Sequence, residues 1–229
     1  MTDLNLADKL LLLVLDDDKG TFVSGPFALT YGLAGAIVLE LSLQDCIKIE
    51  NKKVIVNNSK QTNDGLLDVY LEQLRSSKKA RTLKYWVQKL GNKERAIKKE
   101  ILDKLILKGI LTKREEKFLW VFNNDKFPTV NSKPEYSLRK RLYEIIEFNK
   151  SPALDELMLI SLIDSCNLNR TVYGKDRAKR YKDNIKRTIA EAKNSPLLSA
   201  TIKEVHEIIL AMLVVIISSS IATTTVTST

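Results

Sequence analysis

The feature that most constrains the fold is an apolar run near the carboxyl end of the chain. Residues 208–217 are all apolar, and serine, isoleucine and alanine extend the run to residue 222. A bilayer span needs about 20 mostly apolar residues, whereas Glu204 and Glu207 stand just before this shorter run. A helix that is apolar on every side suits a site surrounded by other helices. We therefore predict a buried central helix within 196–222.

Helical periodicity and helix-ending signals account for most of the remaining chain. Pro26 suits the first turn of a helix, Asp64 is a typical N-cap, and Gly109 is a typical left-handed helix end. The segment 4–16 has the pattern of an amphipathic helix. The other predicted helices cover residues 26–43, a segment starting at 66, and 82–90, 93–108, 134–147, 152–164 and 176–193.

A short β-hairpin is predicted after the second helix. Its strands cover Ile47–Ile49 and Val54–Val56, and the polar residues 50–52 form the turn. No linker is long or biased enough to divide the chain, and no repeat of solenoid period occurs. We predict one domain over residues 1–229, frayed from about residue 223. The fold class is mostly α: a single globular helical domain with a buried hydrophobic C-terminal helix and one or two small β-hairpins.

A second hairpin is predicted in the middle of the chain. The aromatic and β-branched run 118–122 is followed by 123–125, which are Asn-Asn-Asp and typical of a turn. Trp120, Phe122 and Phe127 are expected around its polar tip. Because a two-stranded ribbon cannot bury both faces itself, three alternatives stay open: it packs on the body, docks on another subunit, or enters a bilayer interface.

Residue types that carry catalysis or hold metals are sparse. The chain has one histidine, His206, and two cysteines, Cys46 and Cys166, with no metal-ligand spacing among them. No P-loop or Gly-x-Gly-x-x-Gly sequence occurs. Asp64 and Asp68 lie four residues apart, but their place at a helix start favours capping. We predict a non-enzymatic cytoplasmic protein without metal or cofactor, whose cysteines are reduced and buried.

Positive charge is concentrated in the middle third. The net charge of +9 comes from 37 basic and 28 acidic residues. Residues 1–70 hold 6 basic and 10 acidic side chains, residues 71–150 hold 21 and 10, and residues 151–229 hold 10 and 8. A localised positive field indicates an anionic partner, either a membrane surface or a nucleic acid.

One group of these cations has the spacing of a binding site. Arg95, Lys98 and Lys99 fall within an arc of roughly 100° on the predicted helix 93–108. Cations so placed can contact a phosphomonoester from several sides through charge-assisted hydrogen bonds. The remaining basic clusters are Arg75, Lys78, Lys79, Arg81 and Lys84, and Arg139, Lys140 and Arg141.

Two other functions remain as alternatives to lipid binding. Helices followed by a hairpin can resemble a winged helix, and basic helices contact phosphates readily. No helix, however, pairs basic residues with the side chains that read base edges, so nucleic acid is the second choice. A protein–protein adaptor that self-assembles through its hairpin fits the sequence as well as a lipid-binding protein does.

Seven stretches of the chain together resemble the Golgi phosphoprotein 3 family of peripheral membrane proteins. They occur in the family's order, and the similarity covers about residues 4–222. The stretches are Leu4–Asp17, Gly32–Ala36, Leu39–Leu41, Asp64–Asp68, Tyr85–Val87, Leu105–Thr112 and Phe127–Thr129.

The resemblance implies a mostly helical domain with a protruding hairpin and a buried hydrophobic central helix. It implies recognition of phosphatidylinositol 4-phosphate on the cytosolic face of a membrane, without enzymatic activity. For eukaryotic members that membrane is the Golgi, where they link glycosyltransferases to vesicle coats. The family's hairpin is tied to self-association and membrane contact, and this role maps to about residues 117–130.

The family's lipid pocket maps onto this sequence in part. Two basic residues three apart, counted back from Gly109, fall on Arg95 and Lys98. A tryptophan and an arginine of the pocket fall on Gly25 and Ala34, which do not match. The chain also starts almost directly at the domain, which is similar to the compact prokaryotic branch of the family.

Overall fold

The computed structural model describes residues 4–22, 26–57, 60–118, 122–193, 204–205 and 207–208, with the backbone alone at 26–27, 115–118, 122–124 and 192–193. This part of the chain is mostly helical, with two separate two-stranded antiparallel sheets. In order, the elements are α1 (Leu6–Val14), α2 (Pro26–Leu43), β1 (Ile47–Glu50), β2 (Lys53–Val56), α3 (Gly65–Arg75), α4 (Leu83–Gly91), α5 (Glu94–Leu107), β3 (Arg114–Phe118), β4 (Phe122–Lys126), α6 (Lys133–Phe148), α7 (Leu154–Ser165), α8 (Asn169–Tyr173), α9 (Lys175–Arg180) and α10 (Lys182–Lys193).

The first helix is buried on nearly every side. The Asn5 side chain accepts a hydrogen bond from the Asp8 backbone N–H, and the Asp8 carboxylate accepts one from the Asn5 N–H. This capping box satisfies two backbone donors at the helix start. Around it, only Lys9 reaches solvent within α1. The prediction of an amphipathic helix is therefore wrong in character, because α2, α5, α6 and α7 surround α1.

The second helix completes the centre of the described core. It packs against α1 on one side and against α4 and α7 on others, and its apolar residues from Leu33 to Leu41 are buried. The predicted central helix 196–222 lies outside the described residues at all but four positions. At two of those, Val205 is buried and Ile208 packs on the core.

Two helix boundaries were predicted correctly from local signals. The Asp64 carboxylate accepts from the backbone N–H groups of Leu66 and Leu67 and so caps α3. Gly109 follows α5 with a φ of 66°, a left-handed conformation that costs glycine little. The Ile110 N–H then donates to the Leu105 carbonyl and satisfies the helix end. Both signals are local, which is why the sequence suffices to locate them.

The first hairpin also agrees with its prediction. Ile47 pairs with Val56 and Glu50 with Lys53, which leaves Asn51 and Lys52 as a two-residue turn. Both turn residues have positive φ, 50° and 62°. Positive φ at both central positions matches the twist of the two strands.

The second hairpin forms in a different register from the one predicted. Asn123 pairs with Lys117 and Asp125 with Glu115, so the Asn-Asn-Asp segment is part of β4. The prediction of a turn at 123–125 is wrong, and residues 119–121, between the strands, lie outside the described residues. An isolated bridge between Leu111 and Thr129 keeps the same register at the hairpin base. Anchoring at the base thus outweighs the turn preference of asparagine and aspartate.

The carboxyl-terminal helices follow the predicted order with one interruption. The predicted helix 176–193 is divided at Tyr181 into α9 and α10, and the short α8 precedes them. Tyr181 is 1% exposed and packs near the rings of Tyr143 and Tyr173. Cys46 and Cys166 are free and buried, as predicted. No helix within the described ranges has the length and apolar character that crossing a bilayer requires.

Candidate anionic headgroup site

The predicted cations Arg95, Lys98 and Lys99 lie in the first half of α5, beside the start of α2. The Thr30 hydroxyl donates a hydrogen bond to the Glu94 carboxylate. This bond ties the beginning of α2 to the first residue of α5, so the amino ends of two helices lie close together. Helix amino ends carry partial positive charge and favour anions. The location therefore suits an anionic ligand before side chains are considered.

Lys98 has two neighbours of different chemistry. Its ammonium lies 2.9 Å from a Glu94 carboxylate oxygen and 4.7 Å from the centre of the Phe22 ring. Phe22 is partly buried against the core and forms an isolated bridge with Leu15. The aromatic face and the single carboxylate together hold the ammonium at one position. Lys98 is thereby positioned before any ligand arrives.

Arg95 and Lys99 have different surroundings on the same helix. Arg95 is exposed, one turn before Lys98, and among the described residues it forms no ion pair. Lys99 pairs with Asp103 at 2.6 Å, and its side chain is 76% exposed. Such an exposed pair contributes little energy. The structure thus brings Arg95, Lys98 and Phe22 to one end of α5, while Lys99 is turned to a carboxylate further along it.

The two mismatched pocket positions of the family also have a place in the fold. Ala34 lies in the middle of α2 and is fully buried. Gly25 lies outside the described residues. Position 34 therefore carries no charge to the surface, and the aromatic group near the cations is instead Phe22.

One loop connects this site to the second hairpin. In the segment 16–22, the Gly20 carbonyl accepts from the Phe127 N–H, and the Asp17 carbonyl accepts from the Thr129 N–H. Gly20 has a φ of 62°, and a Cβ there would come within 2.2 Å of the Phe127 nitrogen. The loop and the hairpin base are therefore in direct backbone contact, and Phe22 is at the end of this loop.

The hairpin aromatics do not surround one tip. Phe127 is at the base, where its ring is partly buried against the core, so its predicted place at the tip is wrong. Phe122 begins β4 and pairs with Phe118 through the backbone. The side chain of Phe122 and the whole of Trp120 lie outside the described residues. The role of the tip stays a prediction.

A buried acid–base group supports the same loop. The Glu135 carboxylate accepts from the Arg139 guanidinium at 2.6 Å, and Arg139 also donates to the carbonyls of Leu13 and Val172. Burial raises the pKa of Glu135 to about 7; Arg139 opposes this rise and neighbouring Asp17 adds to it. The predicted cluster at 139–141 is accordingly structural in large part.

Arg141 has a structural role as well. Its guanidinium donates to both oxygens of Glu156, at 2.8 Å and 3.0 Å, and to the Ser151 carbonyl. This bidentate pair joins α6 to the start of α7. Of the three cations predicted as a second cluster, Lys140 is the exposed one.

The second half of α5 carries a buried ion cluster. The Lys104 ammonium lies between the carboxylates of Asp8 and Asp64. Burial raises the pKa of Asp8 to about 6 against the effect of Lys104. Burial acts to raise the pKa of Asp64 too, but hydrogen bonds from Lys104, Leu67 and Asn5 outweigh it and lower that pKa. Asp64 therefore caps a helix and joins three elements, in agreement with its structural interpretation.

Two residues of the site were missed from the sequence. Glu94 holds Lys98, and Thr30 holds Glu94. The spacing of Glu94 and Lys98, four residues apart on a helix, is a recognised signal for an ion pair, and counting positive charge alone overlooks it. The contact from Thr30 joins distant parts of the chain and has no such local signal.

Comparison with known proteins gives a consistent result over nearly the whole chain. The model of the family described as Golgi phosphoprotein 3 matches residues 6–208. The vacuolar protein sorting-associated protein 74 of Schizosaccharomyces pombe is 24% identical over 207 residues, covering 80% of this chain. The chain spans 61% of the length of that relative.

Proposed function

Because the chain belongs to the Golgi phosphoprotein 3 family, we propose that it is a non-enzymatic peripheral membrane protein. It binds an anionic, phosphoinositide-type headgroup through Arg95 and Lys98 at the start of α5. Lys99 adds to the positive field around this site. The membrane is contacted from its cytosolic side, and in a eukaryotic host it is the Golgi.

The observation that carries this proposal is the position of Lys98. Its ammonium is held 4.7 Å from the Phe22 ring, one turn from the exposed Arg95. A phosphate at this location would meet two cations and the amino ends of two helices. The Phe22 ring beside the cations can contact the apolar part of the headgroup. The family's pocket tryptophan falls on Gly25, which has no side chain for such a contact.

Glu94 restricts which anions can bind at this site. A headgroup that binds Lys98 must compete with the Glu94 carboxylate, 2.9 Å from the ammonium. A monoester phosphate carries close to two negative charges, so it competes better than a singly charged phosphodiester. The site should therefore prefer phosphatidylinositol 4-phosphate over phosphatidylserine at equal surface charge.

The hairpin contributes a second membrane contact or a self-association surface. Its base is bonded to the segment 16–22, which ends at Phe22. A hairpin inserted at the bilayer interface would thus be coupled to the headgroup site through one loop. The relative in Schizosaccharomyces pombe is named for vacuolar protein sorting, which supports a role in membrane traffic for this chain.

Liposome flotation tests the proposal. Vesicles with phosphatidylinositol 4-phosphate are compared with vesicles in which phosphatidylserine supplies the same charge, each at low and near-physiological salt. We expect binding to the phosphoinositide vesicles to persist at the higher salt, while binding to phosphatidylserine falls strongly. Absence of binding to both vesicle types at both salts would refute the proposal.

A further inference from the structure

A second concentration of positive charge lies around a small cavity that does not include Arg95 or Lys98 in its lining. The cavity is between strand β2 and the loop that joins α3 to α4, and its volume is about 210 Å³; we call it the α3–α4 cavity. Three cations line it, Arg75, Lys79 and Arg81, and Ser77 lines it as well. Its described lining residues include no carboxylate.

The lining combines these cations with an apolar floor. Leu74 and Trp86 are buried, 4% and 2% exposed, and both line the cavity together with residues 54–56 of β2. Low-dielectric surroundings strengthen the attraction between the cations and an anion. A cavity of this size is smaller than the pockets that hold drug-sized ligands, which begin at about 300 Å³. It suits a compact anionic group.

Arg75 is the cavity cation with a buried nitrogen that lacks an acceptor among the described residues. One terminal nitrogen donates to the Lys60 carbonyl, and the other is 3.9 Å from Glu72, a largely exposed carboxylate. The Nε group is buried and has no acceptor among the described residues. A buried donor without an acceptor is unfavourable. An anion in the cavity would place an opposite charge close to this largely buried guanidinium.

The loop that carries the other two cations is fixed before any ligand binds. The Arg81 carbonyl accepts from the Val54 N–H at 2.9 Å, and its guanidinium lies 4.9 Å from the Tyr85 ring centre. The Ser77 hydroxyl donates to the Lys79 carbonyl at 2.9 Å. The backbone bond to β2 and the Tyr85 ring thus hold Arg81 at one side of the cavity, which lowers the ordering cost of binding an anion there.

We propose that the α3–α4 cavity binds a phosphate monoester through Arg75, Lys79 and Arg81. This group has three oxygens and close to two negative charges at neutral pH, which matches two guanidinium groups and one ammonium around a single cavity. The bound group is either a free phosphate compound or the phosphate of a lipid headgroup. The site is distinct from the one at Arg95 and Lys98, because the cavity lining shares no residue with it.

Calorimetric titration of the full chain with inorganic phosphate and with glycerol 3-phosphate tests the inference. The variants are R81Q and R75K, which leave the backbone bonds of the loop in place. K78Q is the matched control, an exposed neighbour outside the cavity. We expect R81Q and R75K to weaken phosphate binding at least fivefold and K78Q to change it less than twofold. Circular dichroism and the urea midpoint establish that each variant is folded.

Vesicles distinguish the two sources of the phosphate. Both measurements use the background R95Q/K98Q: if the phosphate comes from a lipid, R81Q also weakens binding to phosphatidic acid vesicles; if it comes from solution, vesicle binding is unchanged while phosphate binding falls. Either result supports the cavity. In the background R95Q/K98Q, which removes the proposed headgroup site, R81Q should still weaken binding of inorganic phosphate at least fivefold, which separates this inference from the proposed function. Absence of binding to all three probes, or an equal loss in K78Q and R81Q, would overturn it.

Discussion

The two halves of α5 use lysine for different purposes. Lys98 and Lys104 are nearly equally exposed, at 25% and 22% of their side chains. Lys98 has one carboxylate neighbour, Glu94, which is partly exposed, whereas Lys104 lies between Asp64 and the fully buried Asp8. Exposure alone thus does not separate Lys98, which we propose binds the headgroup, from Lys104, which is part of a buried ion cluster. The number of carboxylates around each ammonium, and their burial, does.

This difference has an energetic basis. Water cannot solvate the buried Asp8 carboxylate if it loses its cation. Lys104 therefore stays paired with Asp8. The Glu94 carboxylate is partly exposed, so water can solvate it when Lys98 pairs with a doubly charged phosphate instead. The comparison therefore predicts stability effects at Lys104 and binding effects at Lys98.

The largest effect is expected from Lys104→Met. The substitution leaves two carboxylates near each other, one of them fully buried, and we expect the free energy of unfolding to fall by about 3 kcal/mol. Urea unfolding at pH 7 measures it. Lys99→Met is the control, since the exposed pair with Asp103 should contribute less than about 1 kcal/mol. Equal losses in the two variants would contradict the distinction between the halves of α5.

The same cluster should give the protein a pH-dependent stability. The pKa of Asp8 is about 6 in the fold against 3.8 ordinarily. Between these values the folded chain holds a proton that the unfolded chain has released, so stability falls as pH rises from about 4 to 6. The lowered pKa of Asp64 acts below this range, where stability is lost as pH falls.

Asp8→Asn isolates that contribution. We expect the variant to lose the part of the slope that belongs to Asp8, a difference of about 2 kcal/mol across the range. Urea unfolding at pH 4, 5, 6 and 7 and constant ionic strength measures it in both proteins. Glu135, whose pKa is also raised, contributes a slope to both and cancels in the comparison. Parallel profiles for the two proteins would show that Asp8 does not titrate in this range.

The sequence was informative where the determining signal is local. The turn at Asn51 and Lys52, the cap at Asp64 and the helix end at Gly109 depend on neighbouring residues, and each was predicted. The hairpin register was not, because it depends on contacts between Gly20 and Phe127, which are distant in sequence.

For the candidate site, too, local signals predicted one part and tertiary contacts determine the rest. Helical spacing sufficed to place Arg95 and Lys98 on one helix. Their surroundings depend on Phe22 and Thr30, which reach α5 through the tertiary fold. The ion pairs of Lys104 likewise depend on Asp8, which lies in α1. The sequence pattern predicted that helix to be amphipathic.

The binding half of α5 is tested by charge reversal. We expect R95E/K98E to weaken binding to phosphatidylinositol 4-phosphate vesicles at least tenfold, since each charge-assisted hydrogen bond contributes about 1.5–3 kcal/mol. K140E/K179E is the matched control, with the same change of net charge at two exposed lysines outside α5. Flotation at near-physiological salt measures both. Equal losses would mean that a diffuse field attracts the chain, without a specific site at Lys98.

The smallest and most specific effect is expected from Glu94→Gln. The amide keeps an acceptor for the Thr30 hydroxyl but removes the charge that holds Lys98, so the ammonium becomes fully available to a ligand. We expect affinity for phosphatidylinositol 4-phosphate vesicles to rise about threefold and affinity for phosphatidylserine vesicles to rise more, because the competition that disfavours weaker anions is lost. Asp103→Asn, which frees the exposed Lys99 in the same way, should leave this preference unchanged. If Glu94→Gln raises the affinities for both vesicle types by the same factor, the carboxylate only weakens the local positive field. If the ratio of the two affinities moves toward one, the carboxylate selects doubly charged headgroups.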